Sequence, residues 1–126
     1  MAITASIVGN IFITDNSAGS VSLQKVVNQA FVGTEAAYSN TTTVTSGGTA
    51  ITLPVSPIQF LYIKNSSTTA TVAVQWTKTG GASVAVLTLQ PGSSINFVEN
   101  NVTSGITALT LTSSAATSAV ELVLAG

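Results

Sequence analysis

The sequence of 126 residues contains no cysteine, no histidine and no arginine, and only 6% of its residues are charged. The lack of cysteine excludes disulfide bonds and thiolate-bound zinc. The lack of histidine removes the side chain that serves most often as a general base and as a metal ligand. We therefore expect a protein that is not an enzyme and that binds no cofactor or metal.

Positive charge is equally scarce. Lys25, Lys64 and Lys78 are the only basic residues, they lie far apart in the sequence, and the formal net charge is −1. Proteins that bind nucleic acids or acidic membranes present clustered basic residues to phosphate groups. The sequence therefore predicts neither a nucleic acid nor a membrane as a partner.

Long apolar runs are missing as well, because Thr, Ser or Asn interrupts each run well short of the roughly 20 residues that span a bilayer. The first residues, MAITASIVGNIFITD, lack the basic segment that opens a signal peptide. We expect the chain to be made in the cytoplasm without a signal peptide.

The sequence is rich instead in residues that favour β-strands and turns. Sixteen Ser and twenty Thr accompany many Val, Ile, Leu, Ala and Gly residues, and hydrophobic residues make up 45% of the chain. The length is that of one domain, and we expect a single β-sandwich domain over residues 1–126. Because the charged fraction lies far below the roughly 25% usual in globular proteins, little repulsion opposes association between copies.

Turn-forming clusters recur at short intervals and separate runs rich in Val, Ile and Thr. Along these runs apolar and polar residues alternate, as in 69–78, where Val72, Val74 and Trp76 share one parity. Such runs are typical of antiparallel strands with one buried face, in an all-β sandwich or barrel. Trp76, the only tryptophan, is therefore placed in the core rather than in a ligand-stacking site. The predicted turns lie at 15–19, 46–48, 65–67, 79–81, 90–92, 99–101 and 113–116.

Two segments depart from this pattern because they are apolar on both faces. In 58–64 and in 84–89, apolar residues occupy odd and even positions alike. A sandwich covers only the inner faces of its sheets, so these strands need a second cover, either a long loop or another subunit. Exposed aromatic residues in polar stretches also favour contact surfaces. The candidate subunit-interface residues are Tyr38, Leu61, Ile63 and Leu87.

Segment 20–32 fits two structures. The residues Leu23, Val26, Val27, Ala30 and Phe31 have helical spacing, with Gly33 as a stop, but a strand also accommodates the segment. We favour a strand because an all-β chain offers it a partner, and a helix remains the alternative.

Residues that would carry catalysis are sparse. Ser22 and Lys25 have the S-x-x-K spacing of a serine nucleophile with a lysine base, and Lys78-Thr79-Gly80 matches an accompanying K-T-G element. That chemistry places the pair at the start of a helix in a pocket, and Gly81 favours a hairpin turn for the second match. The four acids lie in or beside predicted turns or on an outward face, which indicates solvated carboxylates rather than a glycosidase pair. They are Asp15, Glu35, Glu99 and Glu121.

Two further patterns have a simple structural explanation. The segments 15–16 and 99–101 supply oxygen ligands for calcium, but Asx-rich turns have the same composition. Three N-x-S/T triplets begin at Asn40, Asn65 and Asn101, as chance alone produces in a chain so rich in Ser and Thr. We interpret both patterns as turns and expect no metal site.

One block of the sequence resembles a known family. The strand Pro57-Ile58-Gln59-Phe60-Leu61-Tyr62-Ile63-Lys64-Asn65 is followed by Val72-Ala73-Val74-Gln75-Trp76 and then by Leu89-Gln90-Pro91-Gly92. These motifs are similar to those of small β-sandwich proteins of tailed bacteriophages, which include jelly-roll cement or decoration proteins of the capsid. The resemblance covers residues 55–100, and tail and fibre domains share the same pattern.

The resemblance implies an antiparallel β-sandwich of jelly-roll type with about eight short strands. It also implies a homotrimer on the capsid surface of the virion that binds the major capsid protein and stabilises the particle without catalysis. A second hypothesis is a tail or fibre module that binds a host receptor or glycan. An enzyme that uses Ser22 with Lys25, or a carboxylate pair, is the third.

Overall fold

A computed structural model describes the backbone of residues 3–15, 20–33, 37–99, 101 and 103–126, and the side chains of Val8 and of residues from Ser39 onwards within those ranges. The runs rich in Val, Ile and Thr form the strands, because β-branched side chains pack well on a pleated sheet. In the described part of the chain no helix is long and apolar enough to cross a membrane. The strands are β1 (Ile3–Asp15), β2 (Ser20–Gly33), β3 (Ala37–Thr45), β4 (Thr49–Ala50), β5 (Phe60–Asn65), β6 (Val72–Lys78), β7 (Ser83–Leu89), β8 (Ser94–Val98), β9 (Ile106–Ser113) and β10 (Thr117–Ala125).

The strands from β3 onwards form two antiparallel four-stranded sheets that pack face to face. The β5 sheet has the order β3-β10-β5-β8, and the β6 sheet has the order β4-β9-β6-β7. Strands from the two ends of this segment pair with each other: β3 with β10, β4 with β9, β5 with β8, and β6 with β7. This is the pairing of a long hairpin rolled into two sheets, a jelly roll, and it confirms the predicted all-β sandwich.

The strands β1 and β2 form a separate two-stranded antiparallel sheet, in which Ile3 lies opposite Gly33 and Asp15 opposite Ser20. Segment 20–32 is therefore part of a strand, as favoured from the sequence, and not a helix. The sandwich itself comprises residues 37–126. The inclusion of the first 33 residues in one domain with it stays a prediction, although β2 passes close to β8.

The alternation read from the sequence places the inward residues correctly in most strands. Val72 and Val74 of β6 and Leu122 and Leu124 of β10 are at most 1% exposed and lie between the two sheets. Burial of each such side chain stabilises the fold by about 1.5–3 kcal/mol. The remaining buried core residues are Val44, Ile58, Leu61, Ile63, Leu89, Ile106, Leu109, Leu111 and Val120.

The outward positions of the sheets mostly carry hydroxyl groups. Thr41 and Thr43 of β3 and Thr88 of β7 are exposed to solvent, and the threonines of β9 are partly exposed. The outer surface of the sandwich is therefore polar but carries very little charge.

The strand β5 is apolar on both faces, as predicted, but its inward face was assigned wrongly. Leu61 and Ile63 are fully buried in the main core, so neither side chain is available to another subunit. Their register explains the difference, because Leu61 lies opposite Leu124 and Ile63 opposite Leu122, two inward residues of β10. Both must be removed from the predicted subunit interface.

A second apolar cluster lies on the outer face of the β5 sheet. Phe60 is 6% exposed and Ala125 only 1% exposed, and three half-buried residues pack beside them. Those residues are Tyr62, Val98 and Val123. Phe60 is thus almost completely covered within the chain, and Tyr62, rather than Leu61 or Ile63, is the residue of this strand that a further cover would still bury.

A β-bulge changes the alternation in β7. The pairing with β6 skips Val86, which is the extra residue of the bulge. As a result, Val84 and Leu87, which are three positions apart, both lie on the side that faces the other sheet, Val84 opposite Trp76 and Leu87 opposite Val74. The strict alternation read through 84–89 is wrong for this reason.

Three of the predicted turns contain a glycine with positive φ, a conformation that other residues adopt only with strain. They are Gly48 (φ 88°), Gly80 (φ 71°) and Gly92 (φ 76°). In the turn between β6 and β7 the Gly81 N–H donates to the Lys78 carbonyl oxygen at 2.9 Å. The predicted hairpin turn at Lys78-Thr79-Gly80 is thereby confirmed.

We expect Gly105→Ala to destabilise the fold by steric conflict. An added Cβ would collide with the carbonyl oxygen of Ile58 and lie 2.8 Å from the Cβ of Pro57. Overpacking of this kind costs about 1–3 kcal/mol, which should appear as a lower urea midpoint with an unchanged slope. Gly47→Ala is the matched control, because its Cβ would meet only the Thr45 hydroxyl at 4.0 Å. Equal effects of the two substitutions would contradict this account.

Candidate functional site

The first candidate surface lies where the edges of the two sheets meet. The strand β7 is an edge of the β6 sheet and β8 an edge of the β5 sheet, and their inward side chains are only partly covered there. Val84 is 49% exposed and Leu87 36% exposed. We call this surface the edge cluster; it consists of Trp76, Val84, Val86, Leu87, Ile95 and Phe97.

Two aromatic rings join the sheets within the edge cluster. The ring centroids of Trp76 on β6 and Phe97 on β8 are 5.0 Å apart at an interplanar angle of 56°. This tilted arrangement is favourable for aromatic pairs and adds about 0.5–1.5 kcal/mol to the burial itself. Trp76 packs against the core, as the sequence predicts, but remains half-buried because its strand lies next to the open edge.

An ion pair bounds the edge cluster on its polar side. The Lys78 ammonium lies 3.1 Å from the Glu99 carboxylate and 5.4 Å from the centroid of the Phe97 ring. The pair is partly exposed, with 39% and 24% of the two side chains accessible, so solvent screens much of its attraction. The pair thus places two charged groups where the apolar surface of the edge cluster ends.

The carboxylate of Glu99 also organises the turn that follows β8. Its Oε1 accepts the backbone N–H of Asn101 at 3.1 Å, and Asn101 Oδ1 in turn accepts the N–H and the hydroxyl of Thr103. The backbone N–H of Asn101, and then the Lys78 ammonium, lower the pKa of Glu99 from its ordinary value. The segment that was weighed as a calcium site is therefore a hydrogen-bonded turn, and the described residues hold no group of three or more acidic side chains.

The backbone of β7 is open on the side away from β6. Its residues form ladder hydrogen bonds with β6 alone, and the strand contains no charged residue and no proline. Natural edge strands are usually protected by lysine, proline or shortness, and β4, the other edge of this sheet, is only two residues long. In β7 the bulge at Val86 is the one such device present. A strand of this kind is suited to contact with another protein.

The second candidate surface is a depression at one end of the outer face of the β5 sheet. It has a volume of about 470 Å³ and opens widely to solvent. Lys64 of β5 and Glu121 of β10 face each other across the ladder, and two turns form the walls. We call this depression the cup; it is lined by Lys64, Ser66, Ser67, Thr68, Pro91, Gly92 and Glu121.

Asn65, a fully buried side chain, holds the two walls of the cup together. Its Nδ2 donates to the carbonyl oxygens of Ala70 (2.8 Å), Leu89 (3.2 Å) and Gln90 (3.2 Å). Its Oδ1 accepts the N–H of Ser67 at 3.0 Å. Because these bonds reach the 66–70 segment on one side and the 89–90 segment on the other, Asn65 fixes their separation.

The Asn65 backbone completes this arrangement. Its N–H donates to the Ser93 carbonyl and its own carbonyl accepts the Gly92 N–H, both at 2.9 Å. The Ser67 hydroxyl accepts the N–H groups of Thr69 and Ala70. The N-x-S/T triplet at Asn65 is thus a structural element, because its amide nitrogen is buried and fully used.

The sequence identified only part of these surfaces. Of the four predicted interface residues, Leu87 lies in the edge cluster, Leu61 and Ile63 lie in the core, and the Tyr38 side chain is outside the described residues. Sequence reasoning missed Val84, Asn65 and the cup. For Val84 an uncharged edge strand was a usable signal, whereas nothing in the sequence distinguishes Asn65 from other turn asparagines.

The side chains that were considered for catalysis lie apart or outside the described residues. Ser22 and Lys25 are in strand β2 and not at the start of a helix, and their side chains are not among those described. The side chains of Asp15 and Glu35 are not among those described. Glu99 belongs to the edge cluster's ion pair and Glu121 to the cup.

We expect Asn65→Ala to destabilise the fold by about 1–3 kcal/mol, because the carbonyl oxygens of Ala70, Leu89 and Gln90 would lose a donor, and the first two of these bonds are buried. Urea unfolding followed by Trp76 fluorescence measures the change. Asn96→Ala is the control, since Asn96 is exposed on β8. A loss for Asn65→Ala no greater than for the control would show that the walls of the cup do not depend on this side chain.

Acid should weaken the fold partly through Glu99. Because the pKa of this carboxyl is lowered in the folded state, its contribution is present above the ordinary glutamate pKa and is lost as the pH falls through the lowered value. We expect Glu99→Gln to flatten the decline of the urea midpoint between about pH 6 and pH 2.5. A decline in Glu99→Gln as steep as in the unaltered protein would count against the role of Glu99.

Comparisons with known proteins add little to this geometry. No family model matches the sequence, and no curated protein matches it. A solved structure of the Yersinia pseudotuberculosis-derived mitogen is similar, with a TM-score of 0.47 and 16% identity, over 73% of this chain and 86% of the mitogen. The assignment of the fold rests on the strand order described above.

Proposed function

We propose that this protein is a non-catalytic structural protein of a bacteriophage virion, a cement or decoration protein that associates with itself and binds the major capsid protein. The edge cluster is the observation that carries the proposal. It combines exposed Val84 and Leu87 with an uncharged edge strand that pairs with β6 on one side only, in the described part of the chain. Such a surface gains free energy when another protein covers it, at roughly 25 cal/mol for each Å² of apolar area.

A second copy of the chain is a fitting occupant of the edge cluster. The net charge of −1 means that copies repel each other very little. The open backbone of β7 offers donors and acceptors to a strand of a neighbouring subunit, as edge strands do in β-augmentation. We propose a homotrimer, the state that the family resemblance implies.

Binding to a capsid suits a protein of this kind for a further reason. Many copies on one lattice bind with high effective concentration, so each single contact need contribute only modestly. Hydrogen bonds of the buried Asn65 side chain hold the turn beside the cup in place. This part of the surface therefore loses little conformational freedom when the protein docks. We propose the capsid surface as its location and the major capsid protein as its partner.

A tail or fibre module that binds a host receptor or glycan is the second candidate function. The cup favours it, because Lys64 and Glu121 are surface groups with no bonding partner among the described residues. A glycan array discriminates between the two functions, since a cement protein needs no affinity for cell-surface sugars.

The self-association part of the proposal is tested with variants of β7. We expect the unaltered protein to form trimers in light scattering, and the double variant Val84→Glu with Leu87→Glu to be monomeric and folded. Two buried charges in the interface would each cost several kcal/mol. The control is Ala85→Glu with Thr88→Glu, which adds the same charge to the same strand at exposed outward positions.

The capsid part is tested by electron microscopy of particles mixed with the purified protein. We expect density of the size of this domain at symmetry axes of the capsid, and none with the Val84→Glu, Leu87→Glu variant. An unaltered protein that stays monomeric at high concentration, or two double variants that behave alike, would overturn the proposal.

A further inference from the structure

The charges in the cup restrict the kind of ligand that it accepts. Lys64 and Glu121 lie directly opposite each other in adjacent strands, yet they form no ion pair within 4.0 Å. An anion in the cup would be attracted by Lys64 but repelled by Glu121, and a cation the reverse, so the two charges offset each other for a ligand of either sign. A neutral ligand whose groups both donate and accept hydrogen bonds suits the two side chains at once, and hydroxyl groups have this property.

The walls of the cup differ in chemistry. One wall carries the hydroxyl groups of Ser66, Ser67 and Thr68, and the other consists of the Pro91 ring and the Gly92 backbone. A pyranose ring has the matching division, with hydroxyl groups around its edge and an apolar face of C–H groups. The proline ring offers the apolar face a surface, while the serine and threonine hydroxyls reach the edge.

The cup is also preorganised and of suitable size. Asn65 ties its two walls with four side-chain hydrogen bonds, so a ligand need not order them. Its volume of about 470 Å³ falls within the roughly 300–1,000 Å³ of small-molecule sites. Its open shape indicates weak binding, with a dissociation constant of about 1–10 mM for a single sugar unit.

We propose that the cup is a binding subsite for a neutral saccharide, with Lys64 and Glu121 as its hydrogen-bonding floor and Pro91 as its apolar wall. This inference rests on the second candidate function, for which it names the ligand class, and it is argued from the cup alone. The edge cluster takes no part in it.

The test is a titration of the ¹⁵N-labelled full chain with glucose, galactose, mannose and N-acetylglucosamine, followed by ¹H–¹⁵N NMR. We expect at least one of the four sugars to shift the amide signals of Ser66, Ser67, Thr68 and Gly92 in a saturable manner. Lys64→Gln and Glu121→Gln should each weaken that binding about tenfold, as the loss of a hydrogen bond to a charged group does.

Matched controls carry the same changes outside the cup. Lys78→Gln and Glu99→Gln remove a lysine and a glutamate that pair with each other outside the cup, and they should leave the sugar titration unchanged. The NMR spectrum of each variant reports whether it is folded. Titrations with sodium phosphate and with tetramethylammonium chloride test the charged alternatives, and neither should shift the cup signals more than the sugars do.

Several results would overturn the inference. The first two are the absence of shifts with all four sugars and shifts that map outside the cup. The others are equal sugar binding by Lys64→Gln, Glu121→Gln and their controls, and stronger binding of phosphate or tetramethylammonium than of the sugars. These results would also remove the second candidate function, but they do not bear on the proposed cement function, because the trimer and the capsid complex are measured without sugar and depend on the edge cluster.

Discussion

The inward residues of the middle strands of a two-sheet sandwich are covered on every side, whereas an edge strand such as β7 is covered along only part of its length. Ile63 of β5 and Leu111 of β9 have a strand on each side and a sheet opposite, and both are completely buried. Val84 and Leu87 have the same inward position but lie on an edge strand, and both reach solvent. The core and the proposed interaction surface are therefore parts of the same inward-facing apolar rows, which are covered in the centre of the sandwich and open along β7.

The sequence predicted the middle of the sandwich well because period-two alternation and burial coincide there, as in β6 and β10. It failed in β5, where both rows are apolar and only the register with β10, set by residues about 60 positions away, selects Leu61 and Ile63 as the inward row. It failed again at Val86, because a bulge leaves no trace in residue type. Strand register and the position of a bulge depend on pairing with another strand, whereas alternation depends only on neighbouring residues in the sequence.

The cup was beyond sequence reasoning for a related reason. Its lining comes from β5, from the turn after it, from the turn before β8 and from β10, which only the folded chain brings together. The turns themselves were predicted from their Asn, Ser, Pro and Gly residues. What a turn propensity does not reveal is that one asparagine, Asn65, is buried and spans two turns at once.

The hydroxyl-bearing outer rows, such as Thr41, Thr43 and Thr88, determine how the surface responds to its medium. Dissolved ions screen attraction between exposed charges that lie more than about 10 Å apart at 0.1 M, but contacts between apolar or hydroxyl groups have no net charge to screen. We therefore expect association through faces of this composition to depend little on screening by salt. Excluded salts such as sulfate strengthen it further, because they favour the burial of apolar surface.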